Sequence, residues 1–164
     1  MMLLLGLPLL ALSMSTFAVA QEAPAPAPNP ANADWHFQYL NRLDPAQGWR
    51  RTPSGLRWRR ISGNGRGAHP TVSDTVTIHY VGTFIDGTEF DSSVRRGEPA
   101  TFPLGRLIRG WQEGVPMMGI GDRYEFAIPY NLAYGNGRGP IPGGATLLFT
   151  IDLIAIAPAA APAQ

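Results

Sequence analysis

One short stretch, residues 107–115 (LIRGWQEGV), constrains the fold of this chain more than any other. It has the length of one or two helical turns, carries the large aromatic Trp111, and lies between strand-like runs at 75–80, 123–128 and 146–153. A lone short helix among strands must bury its apolar stripe against the sheet that those strands form. We therefore predict a sheet that wraps around this helix, with the Trp111 indole as the floor of any pocket left open.

Alternating apolar and polar residues predict the strands of this sheet. The longest pattern places Val76, Ile78 and Tyr80 on one face. Asp86-Gly87 is a hairpin signal, and a proline at 103 is typical of an edge strand or a bulge. The predicted strands cover residues 56–61, 71–84, 88–90, 100–104, 123–128 and 146–154.

Two connections between the strands stand out. Residues 92–99 (SSVRRGEP) are predicted to form a loop. Residues 129–145 (PYNLAYGNGRGPIPGGA) form a much longer loop that is rich in glycine and proline. A loop of that length inside a compact domain is usually functional.

The composition excludes several kinds of chemistry. The chain has no cysteine, which rules out disulfides, thiolate metal sites and a cysteine nucleophile. Its net charge of +1 gives no electrostatic reason to expect nucleic acid or an acidic membrane as a partner. The length of 164 residues is enough for one domain with a real core.

Residues 1–20 form a long apolar run that ends in Ala18-Val19-Ala20. Small residues at positions 18 and 20 make an A-x-A cleavage site, so we interpret the run as a secretory signal peptide cleaved after Ala20. No lysine or arginine precedes the run, which leaves a misassigned start as an alternative. A retained membrane anchor is the other alternative, although glycine and proline interrupt the run and it is short for a span.

The signal peptide is followed by alternating alanine and proline, which favours extended conformations and indicates a linker. A short helix is predicted next, capped by Asp34 and ended by Asp44-Pro45. Packing of this helix on the domain is favoured over a role as a dimerisation arm. The predicted divisions are a signal peptide at 1–20, a linker at 21–33, a helical lead-in at 34–53, the main domain at 54–157 and a disordered tail at 158–164.

Conventional catalytic groups are scarce in this sequence. The histidines, His36, His69 and His79, have no metal-ligand spacing, and Ser92 and Ser93 lie in no nucleophile motif. Aromatic residues near loops would instead build a deep, apolar and almost uncharged pocket with Asp91 as its polar group. By composition alone such residues are more often core than site; they are Tyr80, Phe90, Trp111, Tyr134 and Phe149.

Four motifs follow one another in an order and spacing that resemble the FKBP-type peptidyl-prolyl cis-trans isomerases. They are TVTIHYVGTFIDGTEFDSS at 75–93, FPLGRLIRGWQEGVPMM at 102–118, NLAYG at 131–135 and ATLLFTIDLI at 145–154. The resemblance covers about residues 54–156, and the lead-in TPSGLRWRRISGNG looks like the exported bacterial branch. It implies an α+β fold: an antiparallel half-barrel sheet of five to six strands wrapped around one short helix.

The resemblance also implies a site. Asp91 would be the polar group of one wall, paired with Arg96. The Tyr134 hydroxyl and the Ile108 backbone N–H would donate hydrogen bonds to the substrate. The residues expected to act in catalysis are Tyr80, Asp91, Trp111 and Tyr134, and those expected to bind substrate are Phe90, Phe102, Leu107, Ile108, Ile141 and Phe149. The reaction of the family needs no metal and no cofactor.

Three departures from the family pattern are visible. Ala100 stands where many members carry an aromatic residue, Leu107 replaces a common valine, and the 135–145 loop is short and lacks a histidine found in some relatives. These differences bear on the residues preferred beside proline and on macrolide affinity rather than on the reaction. The loop is also too short to contain the inserted chaperone domain of some bacterial members.

The activity implied by the resemblance is isomerisation of X-Pro bonds during the folding of exported proteins. The expected substrates are proline-containing unfolded polypeptides, with the family's macrolide inhibitors as candidate ligands. The signal peptide and the lead-in predict a periplasmic location, and the lack of a long N-terminal helical arm predicts a monomer. Two alternatives remain at this point: a non-catalytic module that binds a peptide or partner in the same pocket, and a periplasmic holdase chaperone.

Overall fold

The computed structural model describes residues 33–158, so the predicted signal peptide and nearly all of the predicted linker and tail lie outside the described residues. In this part of the chain, short helices pack against an antiparallel sheet. The helices are α1 (Ala33–Arg42), α2 (Ser93–Arg96) and α3 (Arg109–Gly114). The strands are β1 (Arg50–Arg51), β2 (Arg57–Ser62), β3 (Thr75–Phe84), β4 (Glu89–Ser92), β5 (Ala100–Pro103), β6 (Arg123–Ile128), β7 (Gly137–Arg138), β8 (Ile141–Pro142) and β9 (Leu147–Ala157).

The main sheet has the strand order β1-β2-β6-β9-β3-β4, and β5 pairs with β3 on the same side as β4. Every pairing within it is antiparallel, and the longest ladder joins β3 to β9. Its strands in the described residues number seven, one more than the upper prediction, because the two-residue β1 extends the sheet beside β2. As predicted, β5 lies at an edge, where the missing N–H of Pro103 costs no ladder bond.

The predicted alternation places the core on one face of the sheet. Along β3 the residues at even positions, from Val76 to Phe84, are buried, and the intervening residues are half-buried. Strand β9 repeats the pattern from Leu147 to Leu153. These apolar rows form the concave face against which α3 packs.

Two glycines allow α3 to lie close to β6. A Cβ added at Gly110 would lie 2.4 Å from Ile128 Cγ2, and one added at Gly114 would lie 2.6 Å from Phe126 Cε1. Side chains at these positions would push the helix off the sheet. The close approach buries Trp111 against the centre of the concave face, where it is only 5% exposed.

The structure corrects the sequence-based prediction for two helices, α2 and α1. Residues 93–96, predicted to lie in a loop, form α2, because the Ser92 hydroxyl accepts the Arg95 N–H at 3.1 Å and Gly97 ends the turn with φ +79°. Asp34, predicted to cap the first helix, lies within its first turn, because α1 already begins at Ala33.

The helix α1 packs on the domain. His36 is 3% exposed, and its Nδ1 accepts the backbone N–H of Thr146 at 3.0 Å. This bond joins α1 to the end of the long loop predicted at 129–145. That loop is more regular than expected, since it contains a 3-10 turn at Tyr130–Leu132 and the β7–β8 hairpin.

Candidate active site

A cavity of about 420 Å³ opens between the concave face of the sheet, the start of α3 and the 129–146 segment. Six of its twelve lining residues are aromatic or aliphatic residues on the strands or on the approach to α3. The lining residues are Tyr80, Phe90, Asp91, Phe102, Arg106, Leu107, Ile108, Trp111, Ala133, Tyr134, Arg138 and Phe149. An apolar cavity with few polar groups is the usual form of a small-ligand or peptide site.

Aromatic rings meet edge to face at the floor of the cavity. The Trp111 ring centroid lies 5.3 Å from that of Tyr80 and 5.1 Å from that of Phe149, with interplanar angles of 79° and 87°. Phe90 meets Phe149 at 5.6 Å and 89°. Gly82 on β3 makes room for these rings, since a Cβ there would lie 2.8 Å from both Phe90 and Phe149. Such contacts stabilise the rings beyond their burial and fix the shape of the floor.

One side of the cavity is held by a hydrogen-bond network of Tyr80, Asp91 and Arg96, which we call the network wall. The Tyr80 hydroxyl donates to Asp91 Oδ2 at 2.5 Å. Arg96 donates to Asp91 Oδ1 at 2.5 Å and to the Tyr80 hydroxyl at 3.0 Å, and its guanidinium lies 5.6 Å from the Tyr80 ring centroid. Both carboxylate oxygens of Asp91 are therefore occupied, and its charge is balanced by Arg96.

The network shifts the titration of its members. Burial acts to raise the pKa of Asp91, but the hydrogen bonds from Tyr80 and Arg96 outweigh it and leave this pKa below its ordinary value. Burial, followed by the hydrogen bond to Asp91, raises the pKa of Tyr80. At neutral pH the site therefore presents a neutral phenol and an ionised, fully paired carboxylate.

A buried serine positions Tyr80. The Ser93 hydroxyl accepts the Tyr80 N–H at 2.8 Å and lies 3.1 Å from His79 Nδ1. His79 is half-buried. The pair resembles a nucleophile and its base only in composition, because Ser93 is 0% exposed and its oxygen is bonded to the β3 backbone.

The opposite side of the cavity is formed by residues 129–146, which we call the loop wall. Backbone hydrogen bonds fix it: Gly135 N–H to the Tyr130 carbonyl at 2.8 Å, and Gly137 N–H to the Tyr134 carbonyl at 2.9 Å. At its far end Thr146 is bonded to His36 of α1. Tyr134 is half-buried, and its hydroxyl makes no hydrogen bond to any residue between 33 and 158. The loop wall therefore presents a donor that is available to a ligand.

The approach to α3 supplies a second donor. Gln112 Nε2 donates to the Leu107 carbonyl at 2.7 Å and to the Gly105 carbonyl at 3.2 Å, which fixes the backbone ahead of the helix. Ile108 lies at the N-cap position, and no backbone acceptor in the described part of the chain takes its N–H. Because Ile108 also lines the cavity, its N–H is a candidate donor to a ligand.

Nine of the ten residues predicted for the site line this cavity, and Ile141 does not. Ile141 lies in β8 and is buried in the core at 7% exposure, because the β7–β8 hairpin turns the chain there. Arg106, Ala133 and Arg138 line the cavity but were missed. The only sequence signal for these three residues is that they lie close in the chain to Leu107 or Tyr134, which were predicted for the site.

Two other cavities in the described residues are lined by neither Trp111 nor Tyr80. One, of about 330 Å³, lies on the opposite face of the sheet beside Tyr39 and Trp49 and contains the Arg59–Glu125 ion pair at 2.6 Å. The other, of about 390 Å³, lies between α1 and the loop wall. No cluster of metal-ligating side chains occurs between residues 33 and 158. The 420 Å³ cavity is therefore the candidate active site.

Comparisons with known proteins point to one family. The family model described as FKBP-type peptidyl-prolyl cis-trans isomerase matches residues 67–154, more than half of the chain. A protein of Aeromonas hydrophila named FKBP-type peptidyl-prolyl cis-trans isomerase FkpA is 48% identical over 120 residues, which are 73% of this chain and 44% of that protein. The chain spans about half the length of the curated relatives it matches.

Solved structures share the fold. The crystal structure of FkpA from Escherichia coli has a TM-score of 0.75 and 38% identity, over 79% of this chain and 61% of that one. The crystal structure of a peptidyl-prolyl cis-trans isomerase from Pseudomonas syringae pv. tomato has a TM-score of 0.69 and 29% identity, over 81% of this chain and 98% of that one.

Proposed function

The chain belongs to the family of FKBP-type peptidyl-prolyl cis-trans isomerases, and we propose that its cavity accelerates the cis-trans isomerisation of X-Pro bonds in exported polypeptides. The observation that carries this proposal is the apolar cavity itself, with its edge-to-face aromatic floor and its single, fully paired carboxylate. Such a site has little to offer a reaction that needs a nucleophile. It suits a reaction in which only a bond rotates.

The chemistry of the reaction explains why such a cavity would suffice. Rotation about an X–Pro bond must break amide resonance against a barrier of about 18–20 kcal/mol, and uncatalysed exchange takes about tens to hundreds of seconds. In the twisted transition state the amide loses conjugation and charge separation, so water serves it less well than it serves the planar ground state. A dry aromatic cavity therefore favours the transition state differentially.

Specific roles follow from the arrangement of the site. Trp111, Phe149 and Phe90 hold the prolyl ring, because their rings form the apolar floor. The Tyr134 hydroxyl and the Ile108 N–H, which are without partners among the described residues, donate to carbonyls of the flanking peptide. Tyr80 and Asp91 hold the network wall in place through their hydrogen bond and supply a fixed dipole beside the rotating bond.

The proposed isomerase domain spans residues 54–157, from the turn before β2 to the end of β9. We propose export by a signal peptide at 1–20, which lies outside the described residues, and a periplasmic location. The composition of that segment supports this, as does one relative, from Legionella longbeachae, that is named an outer membrane protein. None of the helices between residues 33 and 158 is long and apolar enough to span a bilayer.

We propose that the protein acts as a monomer. The helix α1 has 10 residues and packs on its own domain through the buried His36, and no longer helix occurs between residues 33 and 158. Sedimentation at micromolar concentration tests this. The cavity is also proposed to take the macrolide inhibitors of the family, and competition between such a compound and a proline peptide would report it.

The test of the proposed activity is isomerisation of short Ala-Xaa-Pro-Phe peptides with the purified chain. We expect acceleration that falls in Trp111→Ala, Asp91→Ala and Tyr134→Phe. A preference for bulky apolar Xaa would show that the cavity discriminates at the residue before proline, and equal rates would show that it does not. Folded protein that binds the peptide without accelerating exchange would favour a non-catalytic binding module. Suppressed aggregation of unfolded protein, with cavity variants unaffected, would favour a holdase.

A further inference from the structure

The charged residues that line the cavity do not balance. They are Asp91, Arg106 and Arg138. Asp91 is paired with Arg96, which contacts it at 2.5 Å, so these two charges cancel. Neither Arg106 nor Arg138 makes an ion pair within the described residues, and both are exposed. The mouth of the cavity therefore carries two uncompensated positive charges.

The backbone holds both arginines beside the cavity. Arg106 ends the 3-10 turn Leu104–Arg106, and the carbonyls on either side of it, those of Gly105 and Leu107, are both bonded by Gln112. Arg138 lies in β7 opposite Ile141 of β8, so the hairpin fixes its position. One arginine thus lies on the approach to α3 and the other on the loop wall.

The other carboxylates of the described residues are placed elsewhere. Glu113 accepts from Ser54, and Asp122 accepts the N–H groups of Gly65 and Gly119. Glu125 and Asp152 are paired with Arg59 and Arg123. Asp91 alone among the described acidic residues lines the cavity, so a carboxylate that meets Arg106 and Arg138 there must come from the ligand.

We infer that Arg106 and Arg138 make this site prefer X-Pro segments that carry an acidic side chain next to the proline, and disfavour those that carry a basic one. The inference rests on the proposed isomerase function. A cavity of about 420 Å³ is on the order of 10 Å across, which is comparable to the Debye length of ~8 Å at physiological ionic strength, so charges that line it act on a residue beside the bound proline. Planar guanidiniums also match carboxylate geometry.

The expected size of the effect follows from the exposure of the arginines. Exposed ion pairs are weak, and each contributes on the order of a 2- to 5-fold change in affinity. If each arginine changes the glutamate-to-lysine ratio by this amount, the two together give a ratio of roughly 4- to 25-fold in kcat/KM for glutamate over lysine at low salt. Salt screens exposed charges, so the ratio should shrink as ionic strength rises.

The experiment measures kcat/KM for Ala-Glu-Pro-Phe, Ala-Gln-Pro-Phe and Ala-Lys-Pro-Phe, and for a second set with these residues after the proline. Cis-trans exchange is followed by NMR without a coupled protease, at low and high salt. The proteins are the full chain, Arg106→Gln, Arg138→Gln, the double variant, and Arg66→Gln as a matched control, since Arg66 is exposed and lies outside the cavity. Taking the Glu/Lys ratio within each protein cancels any general loss of activity.

The expected result is a Glu/Lys ratio above one that falls severalfold in each cavity variant, approaches one in the double variant, and is unchanged in Arg66→Gln. Equal rates for the glutamate and lysine peptides in both positions, with the glutamine peptide still accelerated, would overturn the charge preference and leave the isomerase function standing. A ratio that survives in the double variant would also overturn it. Folded protein that accelerates none of the peptides would remove both proposals.

Discussion

The two walls of the cavity are built by different means. The network wall is held by side chains, since Tyr80, Asp91 and Arg96 bond to one another at 2.5 to 3.0 Å. The loop wall is held by backbone bonds and by one contact from outside the domain, the His36–Thr146 bond at 3.0 Å. The network wall should therefore be sensitive to substitutions that change the charge of its side chains. The loop wall should be sensitive to substitutions that increase the mobility of its backbone.

Trp111 lies under both walls, and its loss should have the largest effect. Trp111→Ala removes the floor that Tyr80 and Phe149 contact and leaves a cavity in the core, at a cost of about 3–5 kcal/mol in the free energy of unfolding. We also expect isomerisation to fall by about 100-fold, roughly 2.7 kcal/mol in the barrier. Urea denaturation and the peptide assay check the two effects separately. Trp111→Phe, which keeps a ring in place, should lose less of both; equal losses would contradict a role based on ring packing.

A change of charge tests the network wall next. Asp91→Asn keeps the shape of the side chain but leaves Arg96 without its carboxylate, and the loss of stability should be small because both side chains of this pair are partly exposed. We expect kcat/KM to fall by about tenfold or more. Glu89→Gln, which removes the exposed partner of Arg95, is the matched control and should leave the rate unchanged. A rate that is insensitive to Asp91→Asn would show that the network serves stability alone.

The loop wall is tested from its outer anchor. His36→Ala leaves the buried Thr146 N–H without its acceptor, at a cost of about 1–3 kcal/mol in stability. We expect faster hydrogen exchange at the Thr146 amide and a loss of a few-fold in kcat/KM, with the network wall unchanged. Gln38→Ala, at an exposed position of the same helix, is the control. Unchanged exchange at Thr146 in His36→Ala would show that the loop wall does not depend on α1.

A pair of tyrosines sharpens the comparison further. Tyr134→Phe removes a hydroxyl that bonds to no described residue, so stability should hold while kcat/KM falls by roughly 3- to 10-fold, the loss of one neutral hydrogen bond. Tyr80→Phe removes a hydroxyl bonded to Asp91 and Arg96, so both stability and rate should fall. Thermal unfolding and kinetics of the two variants separate a donor to substrate from a structural bond. Equal stability losses would contradict the distinction.

The smallest predicted effect is in the pH dependence. The pKa of Asp91 is lower in the folded protein than its unfolded value of about 3.9. Its contribution to stability is therefore present above that pH and is lost as pH falls through the lower folded pKa. The difference in unfolding free energy between the full chain and Asp91→Asn should shrink as pH falls below about 5. A difference that stays constant over this range would mean that the carboxylate charge contributes nothing.

Local sequence patterns were enough to predict the strands, in which apolar residues recur at every second position. The alternation along β3 and β9 identified the buried face, and the isolation of Trp111 among strands identified the floor of the cavity. The family motifs then pointed to nine residues that line the cavity. The strand and buried-face predictions are confirmed because each depends on neighbouring residues in the chain, whereas the roles of the site residues stay predictions.

Features that depend on distant residues or on turn geometry could not be predicted in this way. His36 and Thr146 are 110 positions apart, and nothing in the local sequence joins them. The β7–β8 hairpin buries Ile141 and brings Arg138 to the cavity, an outcome decided by turns within a run of glycines. The sequence predicts a loop where α2 forms, because α2 is stabilised by a serine cap and a C-terminal glycine and has no periodic pattern of apolar residues.

The most direct test of the central claim is NMR exchange spectroscopy of Ala-Leu-Pro-Phe with a small amount of the purified chain. We predict faster interconversion of the cis and trans signals with an unchanged ratio of the free isomers, since a catalyst lowers the barrier and leaves the equilibrium alone. Trp111→Ala should reduce the acceleration by about 100-fold. Shifts of the Trp111 indole signal on peptide binding, with no change in the exchange rate, would contradict the account and show a cavity that binds proline without isomerising it.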